Sequence, residues 1–186
     1  SYNRTLIDDD ANRYWFVENP YEVHVNKIPS GKFVANPLLN PNDPKLGVRE
    51  INFPSQDNHM EVLISSSDLD VVRNSKGSVI YPALAPDQII RFKDLFNVKI
   101  ENIAKPLQAS YHSSDVLEKT RKIQVLPKER NIPVKILQPD GKITTGVGEM
   151  NLIGLSPNTK VQFERYGYVN IKKISEKLVY GYYIND

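Results

Sequence analysis

Gln162 and Arg165 are the side chains in this chain best suited to reading polar edges on another molecule. A glutamine amide offers one donor group and one acceptor, and an arginine guanidinium presents a planar fork of donors. That pairing suits base edges and phosphates. Both lie in Val161-Gln162-Phe163-Glu164-Arg165-Tyr166-Gly167-Tyr168-Val169. Val161 and Phe163 alternate with Gln162 and Glu164, the period of a half-buried strand. Arg165-Tyr166-Gly167 then supplies a turn or bulge, and Tyr168, Val169 and Ile171 resume the β pattern. Residues three apart on a regular strand point to opposite faces. For Gln162 and Arg165 to address one target, the chain must bend before Gly167. Read plainly, the same stretch is a hairpin with solvated polar positions.

Other constellations that carry chemistry are missing. The three histidines, His24, His59 and His112, are scattered without ligand spacing, and cysteine is absent, so neither a zinc motif nor a thiol nucleophile is expected. Tyr111-His112-Ser113-Ser114-Asp115 holds Ser, His and Asp, but side chains adjacent in sequence do not build a triad. Glu61 and Glu164 read as single strand carboxylates with no sequence reason to be paired. Gly146-Val147-Gly148 lacks the remaining glycines and the following helix of a dinucleotide fingerprint, and no phosphate-cradling loop occurs. The run Asp8-Asp9-Asp10 reads as a solvated lead-in segment rather than a metal site. No catalytic residue and no metal ligand is expected.

Bulk composition is permissive. The 186 residues suffice for one large or two small domains, and 40% hydrophobic with 25% charged residues is ordinary globular composition. A net charge of +2 is too mild to demand a polyanionic partner, so any basic surface must arise by local clustering. No apolar run reaches bilayer-spanning length and no signal peptide is read, so a soluble protein is expected. The first residue is not methionine, which suggests a processed chain or an excised fragment.

The elements that would position these residues are strands. Thirteen prolines, nine glycines and ten tyrosines with few helical patterns point to an all-β chain. Tyr14–Val17 and Tyr21–Val25 read as extended, Trp15 as core, and His24 as a solvated position. Residues 36–50, with Asn36-Pro37, Asn40-Pro41 and Asp43-Pro44, form an extended loop from which helix is excluded. Met60–Ile64 is a strand, after which Ser65-Ser66-Ser67-Asp68 loosens the chain, and a boundary is placed near residue 70. Gln88–Lys93 sets Arg91 and Lys93 on one face and Ile90 and Phe92 on the other. Asp115, three residues before Glu118, resembles a capping box opening a short helix. Pro139-Asp140-Gly141 marks a hairpin between Val134–Leu137 and Lys142–Thr144.

Four motifs occur in one order: Arg13-Tyr-Trp-Phe-Val-Glu-Asn-Pro20, Asn40-Pro41-x-x-Pro44-x-x-Gly47-x-Arg49, Ile90-Arg91-Phe-Lys93-Asp94-Leu95-Phe96-Asn97-Val98, and Val161-Gln162-Phe-Glu-Arg165-x-Gly167-Tyr168. In that order they resemble the C-terminal anticodon-binding region of the glutamyl/glutaminyl class I aminoacyl-tRNA synthetases. The Lys-Asp-Leu-Phe-Asn-Val run is most similar to the archaeal glutamyl branch. The resemblance covers essentially the whole chain.

The resemblance implies two six-stranded-type β-barrels with few short helices. A proximal barrel would comprise residues 1–69 and 141–186, with a distal barrel, 70–140, inserted in it. It implies a tRNA-binding module of a glutamate–tRNA ligase, reading a glutamate-accepting tRNA for an upstream catalytic domain of the same polypeptide. The fragment would need no cofactor, ATP with magnesium serving that upstream domain. The location would be cytoplasmic, with neither DNA nor membrane as partner.

Carried over by position, Arg13, Gln162 and Arg165 match readers of the central anticodon base, a uracil. Arg91 matches a contact to the first base, with Lys93 standing where the glutaminyl enzymes carry Arg, and Pro41 matches a proline packing near the anticodon loop. The glutaminyl family's basic pair for the third base falls near Pro82 and Ala83 and is missing, which favours the glutamyl reading. Two alternatives stand beside it: the equivalent glutaminyl domain, and a protein-interaction barrel that touches no RNA.

Overall fold

Alternating apolar residues along short, turn-bounded segments build two seven-stranded sheets in the computed structural model, which describes residues 11–185. The acidic run Asp8-Asp9-Asp10 lies outside the described residues. The first sheet runs, in spatial order, Asn12–Tyr14, Lys160–Phe163, Gly167–Ile174, Val179–Asn185, Ile132–Leu137, Ile143–Gly148 and Phe16–Glu18. Its two edge strands are separated in the chain by Trp15 alone, so covalent continuity draws the edges together and curls the sheet. The second sheet runs Lys122–Ile123, Ile89–Phe92, Asn97–Asn102, Leu107–Ser113, Pro20–Asn26, Met60–Ser65 and Leu126–Pro127. Only Gln124 and Val125 separate its edge strands. One sheet is nearly closed into a barrel and the other is a half-barrel. Helical structure among the described residues is confined to three 3-10 segments, Pro44–Leu46, Ser66–Leu69 and Met150–Gly154. The all-β expectation holds.

The sheets divide the chain at points other than 69/70 and 140/141. Pro20–Asn26 and Met60–Ser65, expected with the proximal unit, sit in the second sheet, where Val23 to Asn26 pair in parallel with Leu107 to Ser110. Ile132–Leu137, expected in the distal unit, pairs with both Ile143–Gly148 and Val179–Asn185 in the first sheet. Pairing, not the Ser-rich relaxation near residue 66, decides membership. No sequence pattern within one strand names its neighbour.

The segment 12–18 fastens the two sheets together. Tyr14 and Phe16 pack into one core with Ile132, Val134, Val161, Phe163 and Val169, whereas Trp15 and Val17 enter the other with Val23, Val62 and Phe92. Its period-2 alternation therefore feeds two cores instead of a core and a solvent face. Trp15 is completely buried, as expected of the sole tryptophan.

Gly146 permits closure of the first sheet. A Cβ placed there would stand 2.2 Å from the Val17 carbonyl oxygen and 2.7 Å from the Phe16 ring. Gly146 thus serves close strand approach at this seam, and Gly148 makes room for the Leu152 side chain, which a Cβ there would meet at 2.4 Å. The expected hairpin turn also forms. Gly141 sits at φ +85°, its N–H donates to Gln138 O, and Lys142 N–H donates to Asp140 Oδ1.

The short helix expected to open at Asp115 and run into Lys119–Lys122 does not form. The Ser114 carbonyl accepts from Arg91 and the Asp115 carbonyl from Asn97, so the oxygens that would begin the helical ladder are engaged by the second sheet. Lys119, at φ 61°, then turns the chain out of helical geometry.

Candidate nucleic-acid interface

Arg13 and Gln162 stand side by side. Asn12–Tyr14 runs parallel to Lys160–Phe163 with Arg13 opposite Gln162, and Gln162 is in turn opposite Tyr168. The flanking Tyr14, Val161 and Phe163 face the core, so period-2 alternation turns Arg13 and Gln162 to the outer face. Both are half-buried. The Gln162 Oε1 atom and, two positions along the next strand, Asn170 Oδ1 are buried acceptors without a hydrogen-bond partner.

The proline-rich loop is fixed to the edge of this row. Arg13 N–H donates to Leu39 O at 2.8 Å, Leu39 N–H to Gly47 O, and Arg49 N–H to Pro37 O. Asn40 Oδ1 accepts from Asn42 N–H at 2.9 Å, shaping the turn on which Pro41 lies exposed. Beneath the loop, Arg49 Nε meets Glu149 Oε1 at 2.8 Å and Nη1 donates to Leu38 O. Glu149 also accepts from Trp15 N–H at 2.7 Å and from Asn151 Nδ2 at 2.9 Å. The guanidinium lies 5.5 Å from the Tyr14 ring centre. Burial pushes the Tyr14 hydroxyl pKa up, Glu149 adds to the rise, and Arg49 opposes it.

The bend expected before Gly167 is present. Arg165 adopts φ 66° and Gly167 φ 145°, and Tyr166 N–H closes the turn on Phe163 O at 2.9 Å. Two contacts tie this turn to the second sheet. Lys93 Nζ pairs with the Glu164 carboxylate, and Arg165 Nη2 donates to Asp68 Oδ1 at 3.2 Å. Asp68 is buried and lies 3.6 Å from Arg121 Nη2 as well. Burial pulls the Arg121 pKa down, with Asp68 working against it and Arg165 adding to it. Arg165 keeps 53% of its side chain exposed, above a cleft lined by Phe16, Ser65, Asp68, Gln124 and Glu164.

Arg91 departs from expectation. It is only 9% exposed, and its Nη1 donates to Asn97 Oδ1 at 3.3 Å and to Ser114 O at 3.1 Å. Alternation set it on the face of Lys93, but the loop 114–121 folds over that face and encloses it. The structure therefore joins Arg13 to Gln162, fixes the loop of Pro41 beside them, and holds Arg165 and Lys93 at the hairpin turn. It does not bring Arg91 to that surface.

Several functional groups were not foreseen. Asp68, Arg121 and Glu149 are buried charges whose partners lie far along the chain, and only Arg49 stood inside a quoted motif. The histidines read as scattered are not all so: His24 and His59 meet edge-to-face with ring centres 5.1 Å apart. The two glutamates each meet cationic or imidazole groups that the sequence did not announce: Glu61 lies within 3.6 Å of both of these imidazoles, and Glu164 meets Lys93.

A polar row displayed on a curled sheet, beside a loop pinned against it, suits recognition. The chain belongs to the family described as tRNA synthetases class I (E and Q), anti-codon binding domain, whose two models match residues 11–116 and 115–172. Among curated proteins it is similar to the glutamate–tRNA ligases of Pyrococcus abyssi, at 33% identity, and Methanocella arvoryzae, at 35%. Each alignment covers 97% of this chain but only 29% and 28% of the relative. The corresponding protein of Methanocaldococcus jannaschii is 30% identical over 92% of the chain and 28% of its own length. The chain thus spans under a third of the relatives it matches. No helix among the described residues is long and apolar enough to cross a membrane.

Proposed function

We propose that this chain reads the anticodon loop of a glutamate-accepting tRNA on behalf of a catalytic domain elsewhere in a glutamate–tRNA ligase. That domain would activate glutamate with ATP and magnesium in the cytoplasm. The observation that carries the reading is the register pair Arg13 and Gln162 on the outer face of the first sheet. A uracil presents one N–H donor between two carbonyl acceptors on its Watson–Crick edge. Gln162 supplies an acceptor for the N–H, and Arg13 supplies donors for a carbonyl. Because Gln162 Oε1 has no internal partner, turning it toward a base sacrifices no existing hydrogen bond.

Arg165, exposed at the turn, would add donors from the C-terminal side, with Lys93 beside it and Pro41 as an apolar contact on the pinned loop. Arg91 is left out of this set because its guanidinium is engaged inside the second sheet. The test is binding of this chain to an anticodon stem-loop RNA carrying uracil or cytosine at the central position. Wild type should prefer uracil, and Gln162→Ala should lose about 1–3 kcal/mol of that preference. Equal discrimination by the variant would overturn the proposal.

A further inference from the structure

We propose that His24, His59 and Glu61 form a zinc-binding site on the outer face of the second sheet, whereas Arg13 and Gln162 lie in the first. The site follows from register. His24 lies directly opposite Glu61 on the paired strands Pro20–Asn26 and Met60–Ser65, and His59 immediately precedes the second of these. Their strand neighbours Val23, Val25, Met60 and Val62 fill the core, so the polar set faces outward.

The distances suit a tetrahedral ion. His59 Nε2 is 3.4 Å from Glu61 Oε1, and His24 Nε2 is 3.6 Å from the same oxygen. All three candidate ligand atoms lie within 4.8 Å of one another. Bonds of about 2.0–2.1 Å in a tetrahedron place neighbouring ligand atoms about 3.3 Å apart. An octahedral ion would draw adjacent ligands to about 3.0 Å, a poorer match, and two imidazoles with one carboxylate are ligands that zinc accepts readily.

The surroundings orient the ligands. His59 Nδ1 bonds Asn26 Oδ1 at 3.0 Å; with that nitrogen as donor, the lone pair of Nε2 faces Glu61. Lys128 Nζ binds Glu61 through the other carboxylate oxygen, Oε2, at 3.3 Å, and Glu22 through Oε1 at 2.8 Å. The ammonium therefore occupies the far side of Glu61 and leaves Oε1 turned toward the imidazoles. His24 Nε2 also lies 2.5 Å from Glu22 Oε2, a contact that zinc bound at this nitrogen would replace. His59 and Glu61 also line an open depression with Gln56 and Glu129, which gives an ion a path in and room for a water as fourth ligand.

Calorimetric titration of zinc chloride into the chain at neutral pH tests the assignment. One equivalent should bind to wild type and to His112→Ala, whose histidine lies outside the cluster. His24→Ala and His59→Ala should each weaken binding about 100-fold or more. Both substitutions remove outward-facing side chains, and circular dichroism of each variant checks that the fold persists. Absence of saturable uptake by wild type overturns the site. So does uptake that survives either histidine substitution in a folded variant.

Discussion

Arg49 and Glu149, a hundred residues apart in sequence, meet at 2.8 Å with side chains 2% and 0% exposed. The pair joins the proline-rich loop to the junction between Tyr14 and Trp15, and therefore to the edge strand that carries Arg13. Removing one member of such a buried pair leaves the other charge without compensation and costs about 3–5 kcal/mol. Arg49→Met should lower unfolding stability by that amount in urea titration. Glu149→Gln should cost a similar amount, because it leaves the Arg49 guanidinium without its counter-charge and turns an amide N–H₂ toward groups that already donate. Stability unchanged in Arg49→Met would show that the loop is held by its backbone bonds alone.

Closure of the first sheet depends on Gly146 in a way that a melting experiment can read. Its missing Cβ makes room for the Val17 carbonyl, a backbone atom that cannot rotate away. Gly146→Ala should destabilise by about 2–3 kcal/mol through overpacking at the seam. A nearly neutral substitution would mean that the seam has slack.

Local chemistry was legible in the sequence, and partnership across the chain was not. Pro139-Asp140-Gly141 encodes its turn within four residues, and Met60–Ser65 shows its buried face by alternation, so both were readable in place. The bend at Arg165 followed from spacing and a neighbouring glycine. Arg91 obeyed its alternation, but it is buried because the distant loop 114–121 covers it, and the same contacts abolished the helix expected at Asp115. His24 and Glu61 became neighbours through strand register, which no spacing of residues 37 apart in the chain can announce.

Arg165 offers a direct test of anticodon reading. Arg165→Ala should weaken binding of the cognate stem-loop by about 1–3 kcal/mol, and changing the central base should then add little further loss. Full additivity in that cycle would assign Arg165 to phosphate contact or to the Asp68 pair instead. The salt slope separates these two, since loss of a phosphate contact lowers it by about one unit.

The cluster around Lys128 predicts a dependence on pH that metal-free samples should show. Hydrogen bonding from Lys128 is the largest influence holding the Glu22 and Glu61 carboxyls below their ordinary 4.5, and the same two partners raise the Lys128 ammonium above 10.5. A depressed carboxyl pKa contributes stability above the unfolded value and loses it as pH falls through the folded one. A raised ammonium pKa contributes below its unfolded value and loses it as pH rises through the folded one. The contribution should therefore fill the window between the two and vanish at either end. These groups are solvated, so its size is small, about 1–3 °C in melting temperature. Lys128→Met should melt lower than wild type by that margin at neutral pH in the presence of a chelator. The two curves should converge well below pH 4.5, where both carboxyls are protonated. A gap that persisted undiminished in acid would trace to packing of the lysine stem, and the electrostatic account of the cluster would fail.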